Sequence, residues 1–192
     1  MTTESLRMPK KSLKKLKEAL NSVDGYVIGF LDETSPQLNA NSQRLWSFSK
    51  PVVKKNTTRL KANTFGFYAI NGNSFVDFKE HSKKEAVCEF LEKVREENPD
   101  KPIIIILDNF RSHWANKTRE TAEKLGIILV FLPPYSPDLN PIEFIWKSIK
   151  REISPLPIKT LDELKNVIKE CFNRFSKKLS YERKWISEFL IS

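Results

Sequence analysis

Between Pro133 and Glu143 the chain reads Pro-Pro-Tyr-Ser-Pro-Asp-Leu-Asn-Pro-Ile-Glu, with four prolines in eleven residues and no glycine. Each proline presets its own φ and biases the residue before it toward extended backbone, so most of this connector has little conformational choice. A β-like run, Gly126–Leu132, enters it, and an apolar set at helical spacing, Ile142, Ile145, Trp146 and Ile149, leaves it. The segment therefore commits the chain to a strand–helix junction whose geometry cannot be adjusted. Glu143 falls in the first turn of the helix that follows, so the junction aims one carboxylate.

The remaining elements follow in order. Residues 1–9 read as a tail, and Lys10–Leu20 as a basic helix with Leu13, Leu16 and Leu20 on one face. Tyr26–Leu31 is expected as a buried strand ending at Asp32-Glu33. Arg44–Phe48, Thr57–Ile70 and Ser74–Phe78 have strand composition, with Asn71-Gly72 expected as a hairpin turn. A helix is expected over Ser82–Asn98, stopped by Pro99. Pro102–Leu107 is a continuous aliphatic run suited to a central strand covered on both faces, and it ends at Asp108-Asn109. Ser112–Leu125 reads as a helix, Ile127–Leu132 as a short buried strand, and Pro141 to about Ile153 as a helix. Thr160-Leu-Asp-Glu163 forms a capping box at the head of another helix, and Tyr181–Leu190 closes the chain. An antiparallel start followed by strand–helix–strand units predicts an α/β fold, a mixed sheet with helices on both faces.

The chain is long enough for one domain with a full core. We expect residues 1–25 as a tail and basic helix, 26–153 as the main domain, and 154–192 as a C-terminal helical extension packed on it. No apolar run approaches a membrane span, and the N-terminus lacks the apolar core of a secretory signal. Cys88 and Cys171 lie on apolar helix faces without metal-ligand spacing, which points to a reducing cytoplasm rather than a disulfide framework. The net charge of +9 favours a polyanionic partner, with basic clusters at Lys10–Lys17, Lys50–Lys61, Lys147–Arg151 and Arg174–Lys184.

Three acids fall at element ends: Asp32 after the first strand, Asp108 after the central strand and Glu143 at the head of a helix. In open α/β sheets the crevice lies outside the carboxyl ends of the strands, where such acids converge. Carboxylates on separate rigid elements supply the hard oxygen ligands that Mg²⁺ prefers, and paired ions of this kind support phosphodiester cleavage. Each acid also has a structural reading. Glu143 stands three residues after Asn140, so it fits the N3 position of an Asn-x-x-Glu cap; Asp108-Asn109 and Asp32-Glu33 fit turns. Other chemistries lack their residues: the five glycines form no phosphate loop, His81 and His113 have no zinc-like spacing, and there is no GxSxG elbow. His113, five residues after Asp108, is either a surface histidine at a helix start or a group facing the same crevice.

Asp108-Asn-Phe-Arg-Ser-His113 and Tyr135-Ser-Pro-Asp-Leu-Asn-Pro-Ile-Glu143, with 34 residues between Asp108 and Glu143, resemble the catalytic core of DDE transposases of the mariner-like superfamily, in their prokaryotic insertion-sequence branch. Phe30-Leu-Asp-Glu33 resembles the stretch around the first acid of that branch, as do Leu45-Trp46 and Lys50-Pro51 downstream. The similarity runs from about Tyr26 to Arg151. It implies a ribonuclease H-like fold, two Mg²⁺ or Mn²⁺ ions held by Asp32, Asp108 and Glu143, cleavage at transposon ends and strand transfer into target DNA. Glu33, Asn109, His113 and Asp138 match the motifs as supporting residues. A homodimer and a prokaryotic cytoplasmic, nucleoid-associated setting are expected with it. Full-length relatives carry long N-terminal helix-turn-helix modules, whereas 25 residues precede Tyr26 here, so end recognition is expected from a separate module. Trp46 and Trp114 are either buried or stacked on unpaired bases. Two other readings remain: a transposase remnant that binds DNA or dimerises without cutting, and another ribonuclease H-like nuclease.

Overall fold

The structure is a computed structural model describing residues 25–36, 48, 60–134 and 137–177. The element order is β1 (Val27–Thr34), β2 (Thr64–Ala69), β3 (Phe75–Phe78), α1 (Lys84–Glu97), β4 (Ile103–Leu107), α2 (Asn116–Lys124), β5 (Ile127–Phe131), a 3-10 turn (Pro137–Leu139), α3 (Ile142–Ile153) and α4 (Leu161–Ser176). The five strands form one sheet in the order β3-β2-β1-β4-β5. β1 pairs antiparallel with β2 and parallel with β4, and β4 pairs parallel with β5. The mixed α/β sheet expected from the sequence is therefore present. The basic helix over Lys10–Leu20, the strand over Arg44–Phe48 and the closing helix over Tyr181–Leu190 fall outside the described residues, apart from Phe48.

Strand alternation sorts the side chains into two cores. On one face Ile28, Phe30, Tyr68, Ile104 and Ile106 pack against Ile142, Ile145, Trp146 and Ile149 of α3 and Leu164, Ile168 and Phe172 of α4. On the other, Leu31, Phe65, Phe67, Ile103, Ile105 and Leu107 pack against Val87, Phe90, Leu91 and Val94 of α1 and Ala122 of α2. β4 is buried along its whole length, because helices cover it above and below. Its isoleucines divide between the two cores, which is why the run shows no alternation in the sequence.

Several boundaries differ from the sequence-based expectation. β1 runs on to Thr34, so Asp32 and Glu33 lie within it: β2 pairs with it as far as Thr34↔Thr64. The β2–β3 connection spans Ile70–Ser74 rather than a two-residue turn. Asn71 reaches back to the start of β1 there, accepting from the Ile28 N–H at 2.9 Å and donating to the Tyr26 carbonyl at 2.7 Å. Gly72 lets that loop close down, since a Cβ would lie 2.7 Å from Val27 and 2.6 Å from Asn98 Oδ1. α2 begins at Asn116, after a turn that buries His113. At α4 Thr160 caps the helix as expected, its Oγ1 accepting from the Glu163 N–H at 3.1 Å, but Glu163 Oε2 reaches one residue past the cap and accepts from the Lys159 N–H at 2.9 Å rather than from Thr160.

Candidate active site

Asp32 and Glu33 are consecutive in β1 and so point to opposite faces of the sheet. Asp32 shares its face with Ile28 and Phe30, under α3; Glu33 shares its face with Leu31, toward α2. The parallel register pairs Phe30 with Ile106. Carried two residues further, it sets Asp32 beside Asp108, which leaves the carboxyl end of β4. α3 then brings Glu143 in from the connector. These elements enclose a cavity of about 500 Å³ lined by Asp32, Asp108, Asn109, Phe110, Asn140 and Glu143, with Pro133, Pro134 and Pro137 forming its proline wall.

The acids are held differently. Asp32 is buried, and its Oδ2 accepts from the indole N–H of Trp146 at 3.0 Å. Burial, and then the charges of Glu143, Glu33 and Asp108, push its carboxyl well above the usual range. Glu143 is raised too, by burial and by Asp108, with Lys150 acting the other way. Asp108 is partly burial-raised, but the His113 hydrogen bond and charge and the Phe110 N–H outweigh this and lower it. Its Oδ1 lies 2.8 Å from His113 Nδ1 and 3.0 Å from the Phe110 nitrogen.

His113 is fully buried, with Nε2 3.0 Å from Glu33 Oε1. Burial works to lower its pKa, but the bonds to Asp108 and Glu33 prevail and raise it to about 10. At neutral pH it is an imidazolium clamped between two carboxylates, donating from both ring nitrogens. Of the two sequence readings, the surface histidine is excluded. Glu33, adjacent to the first acid in sequence, belongs to this clamp on the other face.

Asn109 ties the site to its edge: its side-chain amide donates to the Leu132 carbonyl and its Oδ1 accepts from Trp114 Nε1 at 2.7 Å. The Trp114 ring stacks on Phe131 with centroids 4.0 Å apart and remains 46% exposed. Trp46 lies outside the described residues. Asp138 sits apart from the three acids. It lines an adjoining cleft of about 300 Å³ with Pro137, Phe144, Lys147 and Lys150, which Glu143 also borders.

The expected Asn140–Glu143 side-chain cap does not form. The Glu143 N–H donates to the Asn140 backbone carbonyl at 3.0 Å, and no side-chain cap is made at the head of α3. The Asn140 side chain turns inward instead: the residue is 2% exposed, and its Oδ1 has no hydrogen-bond partner among the described residues. Trp146, read from sequence only as part of an apolar face, is a polar neighbour of the first acid. Two signals point to it: a buried indole N–H needs an acceptor, and Gly66 in a strand marks a close approach.

Among the described residues, no three His, Cys, Asp or Glu side chains lie close enough together, as they stand, to hold a metal ion. Trp146 occupies one oxygen of Asp32, and His113 with the Phe110 N–H occupies one of Asp108. The donor chemistry nevertheless fits a hard divalent cation. Three carboxylates line one cavity with the unpartnered Asn140 oxygen, and two of those carboxylates are destabilised by burial and by neighbouring negative charge.

Residues 27–165 match the model of the DDE superfamily endonuclease family. A sequence search of curated proteins finds no match. Among solved structures, the chain is similar to the Mos1 transposase paired-end complex with left transposon end, with a TM-score of 0.73 at 16% identity, covering 98% of this chain and 61% of that one. It is similar to the Mos1 transposase catalytic domain with Raltegravir and Mg, with a TM-score of 0.66 at 17% identity over 98% and 91% of the two chains. It is also similar to the Mos1 mariner paired-end complex with Mn, with a TM-score of 0.67 at 17% identity over 98% and 60%. The fold is thus the ribonuclease H-like fold of that catalytic domain. The chain spans about three fifths of the transposase chain in the paired-end complexes.

Proposed function

The chain belongs to the DDE superfamily endonuclease family, and from that premise we propose that it is the catalytic domain of a DNA transposase, cutting DNA and joining the freed 3′-hydroxyl to a target. The observation that carries this reading is the convergence of Asp32, Asp108 and Glu143 on one cavity from three separate elements. The Mos1 structures with Mg and Mn support divalent metal as the cofactor. Asp32, Asp108 and Glu143 would hold it as a pair of Mg²⁺ or Mn²⁺ ions, with Lewis-acid activation of the phosphodiester as the chemistry supplied when bound.

The protein's own contribution is positional. Asp32 and Asp108 extend from paired parallel strands, so their spacing is set by the sheet. Glu143 is set by the proline connector, and the His113 clamp holds Asp108 against Glu33. Asn109 holds the end of β5 to the same corner. Lys147 and Lys150, beside Glu143, and Arg151 on the same helix supply positive charge for the DNA backbone, contacts that position without reading sequence. Asp138 borders that contact surface.

We assign residues 26–153 to the catalytic domain and 154–192 to a C-terminal extension. In support, α4 packs on α3 and shares its core. An insertion-sequence origin in a prokaryotic cytoplasm, a homodimer as the working form and a separate helix-turn-helix module for end recognition complete the reading. The motif resemblance and the basic charge support it.

The test is nicking of supercoiled plasmid in Mg²⁺ or Mn²⁺ by the wild type, Asp108→Ala and Glu143→Ala. Metal-dependent nicking by the wild type alone is expected. Equal nicking by all three, or DNA binding with no cutting under any metal condition, overturns the catalytic reading for this chain.

A further inference from the structure

Asp32 lies directly across the β1–β2 ladder from Gly66. The missing side chain at Gly66 is the space into which Trp146 enters. A Cβ there would stand 2.5 Å from Trp146 Cζ2 and 2.6 Å from Cη2, closer than such atoms approach in any ordinary contact. The indole that fills the gap is fully buried, packed against Phe172 with ring centroids 5.3 Å apart, and its N–H donates to Asp32 Oδ2 at 3.0 Å. Three features of separate elements thus meet on one bond: a glycine in β2, a tryptophan in α3 and an acid in β1.

A buried indole needs only some acceptor, and a backbone carbonyl is the ordinary one. Here the acceptor is a carboxylate lining the acidic cavity, contributed by the strand against which α3 packs. Trp146 also stands three residues after Glu143, one helical turn further along the same rigid element. Whatever fixes Trp146 against β1 also fixes the approach of Glu143 to Asp32.

We infer that Trp146 is a positioning residue for the first acid: its N–H holds Oδ2 of Asp32, fixes the carboxylate's orientation toward the cavity, and sets the separation of Asp32 from Glu143. The inference rests on the catalytic reading above, because it concerns how that site is kept in shape for a divalent cation. Neighbouring groups that orient metal-binding side chains commonly change metal affinity by about 10–100-fold when removed.

The experiment compares the wild type with Trp146→Phe, which keeps an aromatic ring and loses the donor. Mn²⁺ affinity is read from the electron paramagnetic resonance signal of free Mn²⁺, and plasmid nicking is read as separate kcat and KM. We expect Mn²⁺ affinity and kcat each to fall about 10–100-fold, with KM for DNA unchanged. A folded Trp146→Phe with wild-type Mn²⁺ affinity and kcat overturns the inference while leaving the catalytic reading intact. A wild type that neither binds Mn²⁺ nor nicks DNA overturns both. Should Trp146→Phe fail to fold, ¹H–¹⁵N spectra of the wild type decide the matter. The Trp146 indole resonance is expected to be protected from solvent exchange and to shift when Mg²⁺ is added. An indole signal unmoved by Mg²⁺ that shifts the Glu143 amide overturns the inference.

Discussion

His113 Nδ1 lies 2.8 Å from Asp108 Oδ1, and the same ring reaches across to Glu33 Oε1 at 3.0 Å. A single buried cation therefore joins the end of β4 to the opposite face of β1. Replacing His113 by Phe removes both bonds and leaves Glu33 beside an apolar ring. Breaking one partner out of a buried ionic group costs about 3–5 kcal/mol. We expect His113→Phe to lose about that much in urea unfolding, and the part that still folds to nick DNA more slowly because Asp108 has lost its anchor. Wild-type unfolding by His113→Phe would show that the clamp is not a stabilising element.

A second clasp sits at the other end of the sheet. Arg95 at the end of α1 donates to the carbonyls of Leu125 at 2.8 Å, Lys101 at 2.8 Å and Asn98 at 3.1 Å, joining α1 to the starts of β4 and β5. Lysine carries its three donors on one nitrogen and lacks the planar fork that here serves the three carbonyls from two separate nitrogens. With charged hydrogen bonds contributing about 1.5–3 kcal/mol each, Arg95→Lys is expected to cost about 2–3 kcal/mol. For a chain of this size that lowers Tm by roughly 4–12 °C. Nicking per folded molecule should stay at the wild-type value, because the site lies at the opposite ends of β4 and β5. A calorimetric Tm equal to the wild type would refute the clasp.

The parts of this design legible in the sequence were those that act locally. Ile103–Leu107 could be little else than a covered strand, and Thr160 with Glu163 formed the cap its spacing promised. The strand–helix alternation carried the mixed sheet. What the sequence concealed depended on which way a side chain turned. Asp32 and Glu33 are chemically alike and adjacent, and only the assembled sheet separates them, one toward α3 and the other toward His113. Asn140 misled for a different reason. The Glu143 N–H is taken by the Asn140 backbone carbonyl at 3.0 Å, and Pro141 after it is already helical at φ −56° and ψ −27°. Backbone carbonyls thus take the first N–H groups of α3, and the Asn140 side chain turns inward. Trp146 was hidden by its own hydrophobicity: helical periodicity reports the ring and says nothing of the N–H.

Cys171 on α4 makes the chemistry of the far core testable. Burial, followed by the charge and hydrogen bonding of Glu152, pushes its thiol up to about 11. A free cysteine titrates near about 8.5. Because the folded value is the higher one, the stability this thiol contributes is complete below pH ~8.5 and is lost as pH rises toward about 11. At pH 8 the folded protein should hold Cys171 almost wholly as thiol. Iodoacetamide, followed by peptide mass spectrometry, should label Cys171 much more slowly in buffer than in guanidinium chloride. Equal labelling rates in the two conditions would contradict the burial and the Glu152 contact.

The three acids also make a thermodynamic prediction that does not depend on catalysis. Asp32 and Glu143 carry unfavourable burial and neighbouring negative charge, so a divalent cation shared by them and Asp108 would bind the folded chain in preference to the unfolded one. A ligand selective for the folded state adds about 2.7 kcal/mol at a hundredfold excess over its Kd. Saturating Mg²⁺ should then raise Tm by roughly 5–11 °C, and chelation by EDTA should reverse it. Asp32→Asn, Asp108→Asn and Glu143→Gln each remove a charged donor, and each should abolish most of the shift while Arg95→Lys retains it in full. A Tm indifferent to Mg²⁺ and Mn²⁺, or a shift equal in wild type and all three acid variants, would dissociate these residues from metal binding. Because the readout is the unfolding transition, the result needs neither DNA nor turnover.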